Sequence, residues 1–144
     1  MVNKIYLLDT NIVSDGSKVM PSELVKEKLD LYSDFCAISS ITWYELQTGI
    51  KRMSAGRKRD YLSAYVEEQV LSFFEIISYD KKCADLQSDM FAALTKNGTP
   101  LPYQDSQIAA TAMANDLVLV TRNVKDFAAI QEYFPLKIEN WFEA

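Results

Sequence analysis

KIYLLDTNIVSD, Lys4 to Asp15, is the stretch on which the reading of the fold turns. Its apolar run Ile5-Tyr6-Leu7-Leu8 is strand-like and stops at Asp9, followed by Thr10 and Asn11. One explanation is local. Asp and Asn cap helices, because a side-chain oxygen accepts a backbone N–H that the first helical turn leaves unpaired. The other is positional. In open α/β sheets the ligand crevice lies just past the carboxyl ends of the strands, where an acid is well placed for chemistry. Asp9 alone fits both.

Working outward, strand-like runs alternate with helical patterns. In residues 22–32, Leu24, Val25, Leu29 and Tyr32 fall on roughly one helical face, and FCAIS (35–39) reads as a short buried strand. Residues 40–53 read as a helix, as do residues 57–73, with Leu62, Tyr65, Val66 and Phe73 at helical intervals. A strand is expected at 75–78. The helix over 81–96 groups Cys83, Leu86, Met90 and Leu94, and Asn97-Gly98 stops it, with Pro100 and Pro102 beyond. Then follow a helix at 103–115, the strand LVLVT (117–121), a helix at 124–133 and a short strand at 136–138. Strands separated by helices require crossover connections. The expected class is α/β, a mainly parallel sheet in a three-layer α/β/α arrangement.

With 144 residues and 49% hydrophobic content, one domain spanning 1–144 is expected, with no room for a second. No run of about 18 apolar residues is present for a membrane span, and the first apolar run is too short for a signal-peptide core, so a cytoplasmic address is expected. Cys36 and Cys83 have neither close pairing nor metal-ligand spacing and read as buried thiols. The net charge of −5 argues against a protein held to nucleic acid by bulk positive charge. A local exception is KRMSAGRKR, where Lys51, Arg52, Arg57, Lys58 and Arg59 place five of the fifteen basic residues within nine positions. It is either a solvated helix end and loop or a phosphate-binding patch. The chain has no histidine, which removes Ser-His-Asp and Cys-His nucleophile systems, histidine general bases and histidine zinc sites together. Any hydrolysis must be carried by carboxylates.

Four acids stand out. Glu45 lies on the 40–53 helix in line with Ile41 and Gly49. It is either the third position of a capping box begun by Thr42 or, if Ser39 or Ser40 starts the helix, an interior residue. Asp105 heads a stripe with Ile108, Ala109 and Ala112, so its carboxylate should face inward, where a mere complement to the helix dipole would gain nothing. Asp126 follows LVLVT-Arg122-Asn123, and capping by Asn123 with Asp126 at the third position is the plain alternative for it. Thr121 and Asn123 are polar candidates at the mouth of that strand. Asp9, Glu45 and Asp126 each follow a strand by a few residues, and Asp105 opens a helix that can lean over the same edge. Two unpaired carboxylates about 4 Å apart repel by roughly 4 kcal/mol at an effective dielectric of about 20, so such a cluster calls for a cation. All-oxygen ligands select a hard ion, Mg²⁺ or Mn²⁺ for phosphate chemistry.

The segments LLDTNIVS, SSITWYELQTG, PYQDSQIAATA and LVLVTRNVKDF, in this order and at these separations, resemble the PIN-domain ribonucleases, especially VapC-type toxins of bacterial toxin–antitoxin pairs. The likeness runs almost from end to end. DTN alone is a weak motif; the ordered set of four is specific. The resemblance implies a PIN-like fold and a Mg²⁺- or Mn²⁺-dependent endoribonuclease. Asp9, Glu45, Asp105 and Asp126 match the family's acidic quartet, and Thr10, Asn11, Thr121 and Asn123 match its polar surround. It also implies an RNA substrate, a small antitoxin whose tail covers the active site, and a homodimer. Many relatives carry an acid directly after the Thr-Arg pair, where this chain has Asn123. Asp126 then supplies the missing charge, or the second metal site is weaker.

The mechanism expected from this reading has Asp9 and Asp105 holding the main metal, with Glu45 and Asp126 completing a second site or orienting its water. Two rivals make different demands. A receiver-like signalling domain also gathers acids and Mg²⁺ at strand ends, but needs an acid pair after the first strand and an acceptor Asp after a central one; here Thr10-Asn11 and Ser39-Ser40 occupy those places. A PIN-fold RNA-processing or RNA-binding protein with weakened catalysis would keep the fold and lose the cleavage.

Overall fold

A computed structural model describes residues 3–144. Five strands, β1 (Tyr6–Leu8), β2 (Cys36–Ser39), β3 (Glu75–Ile77), β4 (Val118–Val120) and β5 (Ile138–Glu139), form one sheet in the order β3-β2-β1-β4-β5. Every pairing is parallel: Leu7 lies opposite Ala37 and Leu119, Ser39 opposite Ile77, and Leu119 opposite Ile138. The strand order follows from the connections. From β1 through β2 to β3 the chain moves one way across the sheet; it then crosses back over β1 to β4 and continues to β5. Right-handed crossovers put helices of opposite travel on opposite faces.

The helices obey that rule. Those before β3 are α1 (Thr10–Val13), α2 (Glu23–Tyr32), α3 (Ser40–Lys51) and α4 (Arg57–Tyr65); those after it are α5 (Lys81–Lys96), α6 (Tyr103–Ala114) and α7 (Ala128–Tyr133). Alternate strand residues serve alternate cores. Leu8, Cys36, Ile38 and Val120 pack with Ile12, Val25, Leu46, Val66 and Trp141, whereas Leu7, Ala37 and Leu119 pack with Met90, Leu94, Ile108, Phe127 and Ile130. Both faces are covered, as an all-parallel sheet requires. Cys36 and Cys83 are free, buried thiols. No helix among the described residues is long and apolar enough to cross a membrane.

Three local features differ from the sequence expectation. Residues 10–13 form a one-turn helix directly after Asp9, because Ile12 and Val13 turn inward to bury their side chains at 0% and 2% exposure. The helix begun at Arg57 passes into a π-helical stretch, Val66–Leu71, and ends there. Wider turns rotate later residues off the original face, and Phe73, which helical spacing placed with Leu62 and Tyr65, is exposed. The last strand is Ile138–Glu139, because the register of Ile138 on Leu119 fixes it; Leu136 is buried from the preceding loop.

The start of α3 matters for the site. The Ser39 hydroxyl accepts the Thr42 N–H at 3.0 Å, and Ser39 is fully buried, so Ser39 is the cap and Glu45 is an interior residue. Ser39→Ala should lower stability by about 1 kcal/mol, the usual loss for a serine N-cap, measured as a shift in the urea midpoint at unchanged slope. An unmoved midpoint would show that the hydroxyl does not hold the helix start.

Candidate active site

β1 has neighbours on both sides, and the chain leaves it first toward β2 and later returns on its other side at β4. Crossovers that diverge in this way open a crevice beyond the carboxyl ends of the strands. Asp9 stands at that point. Its N–H donates to Val120 O at 2.9 Å, extending the β1–β4 ladder by one residue. The carboxylate is nearly buried, at 6% exposure. Oδ1 accepts the Thr10 N–H at 2.8 Å, while Oδ2 accepts the Thr121 hydroxyl at 2.8 Å and the Asn11 amide at 3.5 Å. Asp9 therefore caps α1 and presents a carboxylate at the crevice; the two explanations hold together.

The polar surround divides its work. Thr121, directly after β4, donates to Asp9 and accepts the Asn123 N–H at 3.1 Å and the Asn11 amide at 3.4 Å. Asn11 Oδ1 accepts the Arg122 N–H at 3.0 Å. Asn11 thus links the loop after β1 to the loop after β4. Thr10 turns elsewhere: its hydroxyl donates to Glu45 Oε1 at 2.8 Å and joins α1 to α3. Asn123 contributes its backbone N–H, and its side chain makes no capping bond, so the plain account of Asp126 as partner to an Asn123 cap does not apply. No spacing pattern in the sequence distinguishes these jobs, because every contact joins separate elements. Arg122 was also not singled out by sequence; its guanidinium lies 4.6 Å from the Phe142 ring centre.

Asp105 sits in the first turn of α6, above the buried stripe of Ile108, Ala109 and Ala112, and is half-buried. Asp126 is exposed in the 3₁₀ turn Val124–Phe127. Glu45 lies within the fields of Asp9 and Asp105, and Asp105 within those of Asp9 and Asp126. Burial pushes the Asp9 carboxyl up; the hydrogen bonds from Thr121, Thr10 and Asn11 oppose this, and the Asp126 charge adds to it. Burial likewise raises Glu45, against the Thr10 hydrogen bond, with the Asp9 and Asp105 charges adding. Asp105 is raised by burial and by the charges of Asp9 and Asp126.

Among the described residues no basic side chain neutralises this cluster. Among the described residues the ion pairs are Lys18 with Asp15 and Lys81 with Asp85, neither involving the four acids. Nor do any three acidic or thiol groups among the described residues close on one point at ligand distance. The donor set is oxygen only, since both cysteines are buried in the two cores, and it fits a hard divalent cation. A groove of about 670 Å³ lies elsewhere, between α2 and α4, lined by Val25, Leu29, Tyr61 and Tyr65 and by none of the acids.

The five parallel strands, the helices on both faces and the histidine-free acid cluster beyond the strand ends define an α/β protein whose site suits a divalent cation. Comparison with known proteins gives the particular family. Residues 6–133 match the PIN domain model. The chain is similar to Ribonuclease VapC2 of Rickettsia felis, 33% identical over 138 residues, covering 95% of this chain and 98% of the relative. It superposes on FitAcB from Neisseria gonorrhoeae with a TM-score of 0.86 at 27% identity, covering 97% of this chain and all of the other. A toxin–antitoxin complex from Klebsiella pneumoniae is 33% identical with a TM-score of 0.62, over 92% of this chain and 99% of that one. The chain belongs to the PIN domain family, among the VapC-type toxins.

Proposed function

We propose that the chain, acting as one domain, is a Mg²⁺- or Mn²⁺-dependent endoribonuclease and the toxin of a toxin–antitoxin pair. The observation that carries the chemistry is the uncompensated quartet Asp9, Glu45, Asp105 and Asp126 at the switch point of the sheet, in a chain without histidine. Asp9 and Asp105 would hold the principal ion, with Glu45 and Asp126 completing a second site or orienting water. When bound, the cation supplies a more acidic water and stabilises charge on the phosphoryl oxygens. The Thr121 hydroxyl and the Thr10 N–H fix the Asp9 carboxylate in one orientation, and the Thr10 hydroxyl does the same for Glu45. Purified chain incubated with total RNA tests the proposal: cutting with added Mn²⁺ and none in excess EDTA is the expected pair of results.

The R. felis relative is named a ribonuclease, and the K. pneumoniae structure is a toxin–antitoxin complex. These names support RNA as substrate and a small antitoxin as inhibitor. A homodimer is proposed from the family resemblance alone. An active nuclease that recovers no inhibitory protein from its native cell by pull-down would count against the antitoxin.

The basic run supports a path for the RNA backbone. Lys51 ends α3 six residues beyond Glu45, about 9 Å along the helix axis. Arg57, Lys58 and Arg59 open α4, where positive charge works against the helix dipole and so gains nothing for the helix itself. None of the five forms an ion pair among the described residues, and all but Arg59 are exposed. Replacing Arg57, Lys58 and Arg59 by Ala should weaken RNA binding and reduce the slope of log affinity against log salt by about two. An unchanged slope would return this run to the solvated surface.

A further inference from the structure

Gln87 is a polar residue on an apolar face. It lies four residues after Cys83 and three before Met90 on α5, both fully buried, and is itself only 8% exposed. Burying an amide is costly unless its hydrogen bonds are made, and an apolar side chain of similar volume would serve packing alone. The amide is fully engaged. Oε1 accepts the Tyr79 hydroxyl, and Nε2 donates to Ser106 Oγ at 2.9 Å and Tyr103 O at 3.2 Å. The fully buried Ser106 hydroxyl also donates to Tyr103 O, at 2.7 Å.

These bonds fall on one turn. Pro102, at the N-cap of α6, makes no side-chain capping bond, so the turn from Tyr103 to Ser106 is held from outside by α5. Asp105 lies inside that turn. No hydrogen bond from a described residue reaches its carboxylate, so the backbone beneath it sets its position. The chain of contacts also continues the other way: the Tyr79 N–H donates to Ser40 Oγ at 3.1 Å, at the start of the helix that carries Glu45. One line of hydrogen bonds, through Ser40, Tyr79, Gln87 and Ser106, thus joins the first turns of α3 and α6.

We propose that Gln87 is a positioning residue: it clamps the first turn of α6 from α5 and so sets the Asp105 carboxylate, relative to Glu45, for the divalent cation. This rests on the metal role proposed for Asp105. Groups that orient metal ligands are commonly worth ten- to a hundredfold in metal affinity.

The test is Mn²⁺ binding to the whole purified chain without RNA, titrated by the loss of the free-ion EPR signal, together with thermal melting. Gln87→Leu should bind Mn²⁺ at least about tenfold more weakly than the parent. Val25→Ala, in the opposite core, should lower the melting temperature and leave Mn²⁺ affinity unchanged, which separates positioning from general loosening. Should Gln87→Leu fail to fold, Tyr79→Phe removes only the hydroxyl that Gln87 accepts, and should weaken Mn²⁺ in the same direction by a smaller factor. Parent-like Mn²⁺ binding in these network variants, beside weakened binding in Asp105→Asn, would overturn the role of Gln87 alone. Equal weakening in Val25→Ala would overturn it too. Parent-like binding in Asp105→Asn would overturn the metal reading on which the inference rests.

Discussion

Asp9→Asn is expected to lower RNA cleavage by more than about a hundredfold while the protein remains folded. Loss of a residue that merely supports a metal ligand commonly costs ten- to a hundredfold, and Asp9 is placed as a ligand itself. The fold should survive because the asparagine carbonyl can still accept the Thr10 N–H that Asp9 Oδ1 accepts at 2.8 Å. What changes is the other oxygen. An amide nitrogen in place of Oδ2 turns a donor toward Thr121, whose hydroxyl must then reorient, and it offers no lone pair to a cation. Initial rates on a defined RNA, with circular dichroism as the check on folding, measure the effect. Cleavage within a few-fold of the parent would leave Asp9 as a helix cap only.

The second large effect is on stability and needs no RNA. A ligand that binds only the folded chain at a hundred times its dissociation constant adds about 2.7 kcal/mol, and for a domain of this size that raises the melting temperature by several degrees. Saturating Mn²⁺ should do this in the parent and largely fail in Asp9→Asn and Asp105→Asn. Without metal the sign reverses for Asp105. Its carboxyl is raised by burial and by the charges of Asp9 and Asp126, so the folded state binds a proton more readily than the unfolded chain does. Stability then falls as pH rises through the window between the ordinary and the raised value, and the cost is fully present above the raised value. Asp105→Asn should therefore equal or exceed the parent in metal-free stability at neutral pH, an advantage that fades as the pH is lowered through that window. The difference between the two proteins isolates Asp105 from groups such as Asp80, whose carboxyl the Cys83 N–H holds down and which acts with the opposite sign. Variants that melt well below the parent without metal yet keep its full Mn²⁺ shift would make these acids structural.

Much of the fold was legible because the signals were redundant. The helix Lys81–Lys96 carries an apolar face, an Asp80 cap and a stop at Gly98, whose φ of 72° glycine accepts without strain. LVLVT and FCAIS could hardly be anything but buried strands. What escaped was decided by tertiary context. Four residues after Asp9 form a helix because Ile12 and Val13 find a core, and the π-helical stretch at Val66–Leu71 leaves no periodicity of its own. The four acids could be nominated from sequence because Asp9 and Asp126 follow strands, Asp105 opens a helix and Glu45 lies on the helix that follows the second strand. Their supports could not. That Thr10 serves Glu45 across 35 positions while Thr121 serves Asp9 across 112 depends on which elements become neighbours. The same holds for Gln87, which reads in sequence as an interruption of an apolar stripe.

In the proposed mechanism carboxylates and a divalent cation, with no histidine and no attack by the RNA 2′-hydroxyl, cut the phosphodiester bond. The most direct measurement is the chemistry of the ends left when the purified chain cuts total RNA in Mn²⁺ and in excess EDTA. Water attacking phosphorus within the metal site leaves a 5′-phosphate and a 3′-hydroxyl, and those ends should appear with Mn²⁺ and vanish with the chelator. Cuts that persist undiminished in EDTA, or that end in 2′,3′-cyclic phosphates, would contradict it.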